Sequence, residues 1–159
     1  MEFQTADLYD QHGDNLQVAE PLFKAYGNKT AFCGEIVTIK CHEDNSLVKA
    51  ELAKDGSGKV LVVDGGGSLR RALVGDQLAA NGIKNNWAGI VVFGCIRDSK
   101  LINEMTIGIK ALNTNPAKTE KLGVGQLNVA VNFANVTFTP GHYVYADEDG
   151  IVVSKEKLV

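Results

Sequence analysis

The stretch that most constrains this chain is GIVVFGCIRDSK, Gly89 to Lys100. Its first eight residues are small or apolar and rich in β-formers, which predicts a buried strand. The run then ends abruptly in Arg97 and Asp98. A cation and an anion delivered side by side at the carboxyl end of a buried strand have two readings. One is a solvated turn with an incidental ion pair, and the other is a pair of side chains fixed at a site.

A chain of 159 residues is long enough to bury one cooperative core without disulfide or metal staples, and residues 1–159 are expected to form one domain. Its net charge of −3 offers no general attraction for phosphate backbones, so direct nucleic-acid binding through a basic face is not expected. Cys33, Cys41 and Cys95 are odd in number and lack the close pairing of a zinc site, which predicts reduced thiols in the core. No apolar run reaches membrane-spanning length, and the N-terminus MEFQTADLYD is acidic rather than basic and then apolar. No membrane association and a cytoplasmic location are the expectation.

Along the chain, Thr5 is a candidate cap for a short helix over ADLYDQH. FCGEIVTIKC alternates as a strand, NSLVKAELAK has helical spacing, and KVLVVD, Lys59 to Asp64, is a second apolar strand. This order predicts a βαβ passage, within a parallel or a mixed sheet. A second helix is expected from GDQLAANGIKNNW. Beyond residue 105, the runs IGIKAL, LNVAVNF, VTFT, HYVYAD and GIVVS are short and strand-like, making the C-terminal third mainly β. PAKTEKLGVG, Pro116 to Gly125, reads as a long loop with room for a short helical turn.

Two further segments could carry chemistry. The glycines of VVDGGGSLRR permit close ligand approach and could aim amides at an anion, or they could simply make a tight strand-to-helix turn. Neither a dinucleotide fingerprint nor a P-loop is present. GDQL, Gly75 to Leu78, lies where a helix should begin, and the exposed amides of that first turn could receive a substrate carboxylate. Arg97 suits an oxoacid oxygen through paired donors, and Asp98 is a hard ligand suited to magnesium or manganese. His12, His42 and His142 are scattered and suggest no catalytic group.

VLVVDGGGSLRRALVGDQLA, followed by WAGIVVFGCIRD and by YADEDGIVVS, resembles the RraA-like family over nearly the whole chain. That family contains 4-hydroxy-4-methyl-2-oxoglutarate aldolases and the regulator of ribonuclease activity A. The resemblance implies a compact α/β fold of the swivelling β/β/α type with a mixed sheet, assembled as a ring-shaped homotrimer with sites between subunits. Matched by motif, Gly75, Asp76, Gln77 and Leu78 receive substrate, Arg97 binds substrate and acts in catalysis, and Asp98 holds a divalent cation, magnesium or manganese.

The implied chemistry is metal-dependent cleavage of a small 2-oxoacid to two pyruvates, with oxaloacetate decarboxylation through the same enolate. Two features depart from the aldolase pattern Gly-x20-Arg-Asp-x2-Glu/Asp. Twenty-one residues separate Gly75 from Arg97, which a loop can absorb, and the final acid is replaced by Leu101, with Glu104 the nearest substitute. The alternative implied by the regulator branch is a non-catalytic protein that binds and inhibits ribonuclease E or an associated helicase. A methyltransferase reading lacks support, because the glycine loop has no cofactor-binding context.

Overall fold

The two apolar runs lie side by side in the middle of one sheet. The computed structural model of the protein describes residues 2–159. Its elements are, in order, α1 (Thr5–His12), a short 3-10 turn (Gly13–Asn15), β1 (Leu16–Val18), β2 (Lys24–Tyr26), β3 (Phe32–Lys40), α2 (Ser46–Leu52), β4 (Lys59–Asp64) and β5 (Ala72–Val74). There follow α3 (Asp76–Lys84), β6 (Gly89–Ile96), α4 (Ser99–Ile102), β7 (Ile109–Thr114), β8 (Gln126–Leu127), β9 (Val131–Phe133), β10 (Val136–Phe138), β11 (Tyr143–Asp147) and β12 (Gly150–Ser154).

The main sheet runs β1-β12-β11-β3-β4-β6-β7-β2, with β5 added to β6 and β8 to β3. Strands β3, β4, β6 and β7 are mutually parallel, and the flanking pairs are antiparallel, so the βαβ passage sits within a mixed sheet. Period-two alternation sorts the side chains of β4 and β6 into two cores. Leu61, Val63, Ile90 and Val92 pack with Val48 and Leu52 of α2 and Ala79 of α3. Val60, Val62 and Val91 pack with Phe133, Val136 and Phe138 of the β9–β10 hairpin on the opposite face. Each such side chain contributes about 1.5–3 kcal/mol by leaving water, which is why continuous apolar runs occupy the centre.

The result is a hairpin layer, a sheet layer and a helix layer, the β/β/α arrangement expected from the sequence. Phe133 joins the hairpin to the sheet, stacking on Phe93 of β6 at 4.8 Å and on Phe138 of its own hairpin at 4.4 Å between ring centroids. A third cluster, Leu8, Tyr145 and Val152, seats α1 on β11 and β12.

Several local expectations are corrected. Thr5 is not the cap of α1: Gln4 holds that position, and Thr5 donates from its amide and its hydroxyl to the Asp147 carboxylate at 2.7 and 2.6 Å. An orphan amide of the first turn is thus satisfied by a residue from the far end of the chain. LNVAVNF is not one strand, because Asn128 adopts a left-handed conformation that separates β8 from β9. The three cysteines are free, but only Cys41 and Cys95 are buried, while Cys33 is half-exposed. Burial pushes the Cys41 thiol up to about 12, so it stays protonated and inert at neutral pH. The stretch Pro116 to Gly125 contains no helix. Among the described residues no helix is long and apolar enough to cross a membrane.

Candidate active site

The position of the site follows from strand direction. Short β5 runs parallel to β6, so both end at the same edge of the sheet, and the Arg97 amide donates to the Val74 carbonyl at 2.9 Å. Gly75–Asp76, which follow β5, therefore meet Arg97–Asp98, which follow β6. Ligands of open α/β sheets sit beyond such carboxyl ends.

Asp98 is held from two directions. Its backbone is left-handed, φ +59°, a conformation aspartate tolerates better than most residues. Its Oδ2 accepts the Asp76 amide at 3.1 Å, which caps α3 from outside its own chain segment. That amide holds the Asp98 carboxyl below the usual range; partial burial opposes it, and the Asp76 side chain and the Arg97 guanidinium assist. Asp98 is consequently ionised at neutral pH and keeps Oδ1 for a further partner.

Arg97 is aimed by two contacts. Its Nε lies 4.0 Å from Asp98 Oδ2, and its Nη1 donates to the Pro116 carbonyl at 3.3 Å. The pair is part-exposed and adds little to stability. Its consequence is orientation, since the guanidinium retains free donors toward the cleft.

The cleft has a volume of about 200 Å³ and is lined by Gly75, Asp76, Gln77, Leu78, Arg97 and Asp98, bringing all six residues read from the motif together. The missing side chain at Gly75 leaves room for the Asp98 carboxylate, because a Cβ there would lie 2.8 Å from Oδ2 and force one of them to shift. Leu78 is buried in the helix-side core, so it offers the cleft its backbone rather than its side chain. With the Asp76 amide committed to Asp98, the Gln77 and Leu78 amides are the first-turn donors left for an anion.

Other candidates fall outside. Leu101 is 51 % exposed on α4, and neither it nor Glu104 lines the cleft formed by this chain. None of the three histidines lines it either. The glycine loop is a structural turn: the Gly65 and Gly67 amides donate to the Phe93 carbonyl, and the Gly66 amide donates to Asp64 Oδ1. Those amides are already used, and none is left for an anion or a nucleotide.

Sequence reading missed Lys49, Lys118 and Lys121, which also line the cleft. The two lysines in PAKTEKLGVG were the available signal, but nothing local in that segment shows that it folds back over β5. It does so because Ala72 donates to the Ala117 carbonyl at 2.7 Å and Arg71 donates to the Lys118 carbonyl at 3.1 Å.

For a metal, the cleft offers oxygen donors alone, and too few to fill a coordination shell by themselves. Among the described residues no group of three or more His, Cys, Asp or Glu side chains converges, which leaves the Asp98 carboxylate beside Asp76. Magnesium is commonly held by one or two carboxylates, with waters and substrate oxygens completing its shell.

A small cleft with a carboxylate, an oriented guanidinium and helix-start amides thus lies at the carboxyl edge of the sheet on a β/β/α scaffold. Residues 5–153 match the RraA-like family, described as Aldolase/RraA, and the chain belongs to that family. It is 58 % identical over 159 residues, all of both chains, to a protein of Aromatoleum aromaticum named "Putative 4-hydroxy-4-methyl-2-oxoglutarate aldolase". Among solved structures, a Geobacillus kaustophilus protein titled S-adenosylmethionine: 2-dimethylmenaquinone methyltransferase superposes with a TM-score of 0.96 at 48 % identity, covering 98 % of this chain and 97 % of that one. The RNA-processing inhibitor RraA from Thermus thermophilis gives 0.96 at 40 % identity, covering 100 % and 96 %.

Proposed function

We propose that the protein is a divalent-metal-dependent lyase that cleaves 4-hydroxy-4-methyl-2-oxoglutarate to two pyruvates and also decarboxylates oxaloacetate. The observation that carries this reading is the convergence of the GDQL helix start with Arg97 and Asp98 in one small cleft, in a chain 58 % identical to relatives named for that aldolase.

The substrate carboxylate would dock on the Gln77 and Leu78 amides, where the positive end of the α3 dipole favours an anion. Arg97 would bind the adjoining oxoacid oxygens and stabilise the negative charge that develops as the carbon–carbon bond breaks. Removing one preorganised donor of that kind costs about 3–4 kcal/mol at the barrier. Asp98 would hold magnesium or manganese, which supplies electron withdrawal from the 2-oxoacid. Asp98 itself is kept ionised and fixed by the Asp76 amide. In aldol cleavage the bond between carbons 3 and 4 breaks, the 4-hydroxyl loses its proton, and carbon 3 gains one. Loss of carbon dioxide from oxaloacetate leaves the same carbon to be protonated.

The test is pyruvate formation from each substrate with magnesium or manganese, and again with chelator, against a protein-free metal control. Turnover above free metal that chelator abolishes is the expected result. Absence of turnover with both substrates would overturn the lyase reading.

Leu101 favours a second reading. With an exposed leucine at the position of the motif acid, the chain also fits a protein that binds and inhibits ribonuclease E or an associated helicase. Its 40 % identity to an RNA-processing inhibitor supports this alternative. Inhibition of ribonuclease E by protein lacking lyase turnover would select it.

A further inference from the structure

The cleft's charge is opposite to that of the chain. Overall the protein carries 16 Lys and Arg against 19 Asp and Glu, yet the cleft takes four cations, Lys49, Arg97, Lys118 and Lys121, against two acids, Asp76 and Asp98. Arg97 and the acids form the inner group already described. The three lysines complete the lining as a cationic wall, and among the described residues none of them meets a carboxylate within 4.0 Å.

This wall is built rather than loosely draped. Asp44 is buried, and its Oδ2 accepts the Leu122 and Val124 amides at 2.9 and 3.1 Å, while its Oδ1 accepts the Ser46 amide and hydroxyl at 2.9 and 2.6 Å. Buried Thr119 donates to Asn45 Oδ1 at 2.8 Å, and Asn45 in turn donates to the Leu73 carbonyl at 3.0 Å. The backbone carrying Lys118 and Lys121 is thereby fastened to the start of α2, the helix that bears Lys49, and to β5. An exposed segment with no role in the cleft would not need a buried carboxylate and a buried amide to hold it there.

We infer that Lys49, Lys118 and Lys121 form a second-carboxylate subsite, which makes the protein selective for 2-oxoacids bearing a distal carboxylate over monocarboxylic analogues of equal length. The inference rests on the lyase reading of the same cleft and adds to it the recognition of the departing half. One end of the ligand meets the inner group, and the far carboxylate meets the lysine wall. A volume of about 200 Å³ suits a ligand of a few carbons, well below the roughly 300–1,000 Å³ of pockets that take drug-sized molecules.

The test uses equilibrium binding, so that it stands apart from turnover. In the presence of magnesium, titration calorimetry compares 2-oxoglutarate with 2-oxopentanoate, which has the same chain length and no distal carboxylate. Neither has the 4-hydroxyl needed for cleavage. The wild type is expected to prefer 2-oxoglutarate at least tenfold. The double variant Lys118→Gln/Lys121→Gln should bring the ratio within twofold, leave pyruvate binding as in the wild type, and retain the fold because both side chains are exposed. Equal binding of the two compounds by the wild type, no binding of either, or a preference that survives the double substitution would each overturn the subsite. A preference that behaves as expected in a protein that turns over neither 4-hydroxy-4-methyl-2-oxoglutarate nor oxaloacetate would sustain the subsite and remove the lyase reading. Cleavage without the preference would do the reverse.

Discussion

The Asp76 amide donates to Asp98 Oδ2 across 3.1 Å, so the first residue of α3 and the first residue beyond the β6–Arg97 run are a single unit. Any change to Asp98 therefore acts on a proposed metal ligand and on a helix start together, and the two effects separate by choice of substitution. Asp98→Ala should abolish metal-dependent pyruvate formation and cost about 1 kcal/mol through the lost cap, with a further cost for alanine at φ +59°. Asp98→Asn keeps an oxygen for the amide and tolerates the backbone, so stability should hold while metal affinity and turnover fall. Denaturation curves and metal titrations check both. Wild-type activity in the two variants would reject metal ligation by Asp98.

Gly75→Ala tests the same unit from the other side. Gly75 is extended, φ −119°, so alanine introduces no backbone strain, but its Cβ would lie 2.8 Å from Asp98 Oδ2 and 3.5 Å from Arg97 Cγ and Nε. The carboxylate or the arginine must shift. A misplacement of about an ångström at a reacting group costs on the order of 10²-fold in rate, so turnover should fall far more than stability. Kinetics beside thermal melts of the purified variant decide this.

The strand that leads into Arg97–Asp98 and its neighbour β4 were legible because Lys59–Asp64 and Gly89–Ile96 lie at the sheet centre, where both faces are covered and the apolar run is continuous. The edge strands Leu16–Val18 and Lys24–Tyr26 were not, since three mostly exposed residues display no alternation. Nor was Ala72–Val74, a three-residue strand paired with β6. Yet it is this strand that places Gly75 against Asp98. The motif named the inner site residues, whereas the lysine wall depends on contacts of Asp44 and Asn45 with residues more than seventy positions away, and no local pattern announces those.

Asp147 sets an acid limit on stability. Burial alone would push its carboxyl up, but the Thr5 hydroxyl and the amides of Thr5, Asp149 and Gly150 outweigh it and hold the carboxyl below its ordinary value. A folded-state value lower than the unfolded one, about 3.9 for aspartate, gives stability that is present above that value and lost as pH falls through the depressed one. Denaturant titrations from pH 5 to pH 2 should therefore show wild-type stability declining. Asp147→Asn should lose about 1–3 kcal/mol at pH 7 and show a shallower decline. Parallel pH profiles of the two proteins would remove Asp147 from the account.

The homotrimer implied by the family makes a separate prediction. Leu122 and Val124, next to Lys121 at the cleft rim, are 70 % and 64 % exposed, apolar surface of the kind an interface covers. Light scattering should give about three times the chain's 17.0 kDa, and Leu122→Asp/Val124→Asp should weaken assembly. A wild-type monomer across micromolar concentrations would remove the assembly claim.

Leu101 provides the last prediction. It is the third residue of the turn that follows Asp98, whose side chain bonds Asp76 rather than this turn, and a glutamate there would be placed to reach back to the Asp98 amide. A glutamate acting in that way steadies the Asp98 turn and serves both reactions alike. One transferring protons would favour aldol cleavage, which alone must take a hydroxyl proton from substrate, by about 10²–10⁴-fold. Because Leu101 is 51 % exposed and does not line the cleft, the capping role is the expected one. Leu101→Glu should therefore change aldol cleavage and oxaloacetate decarboxylation by the same factor, with stability altered by no more than about 0.5 kcal/mol, as is usual at an exposed position. A selective rise in aldol cleavage would instead assign proton transfer to this position and show that the turn brings the new carboxylate to the substrate.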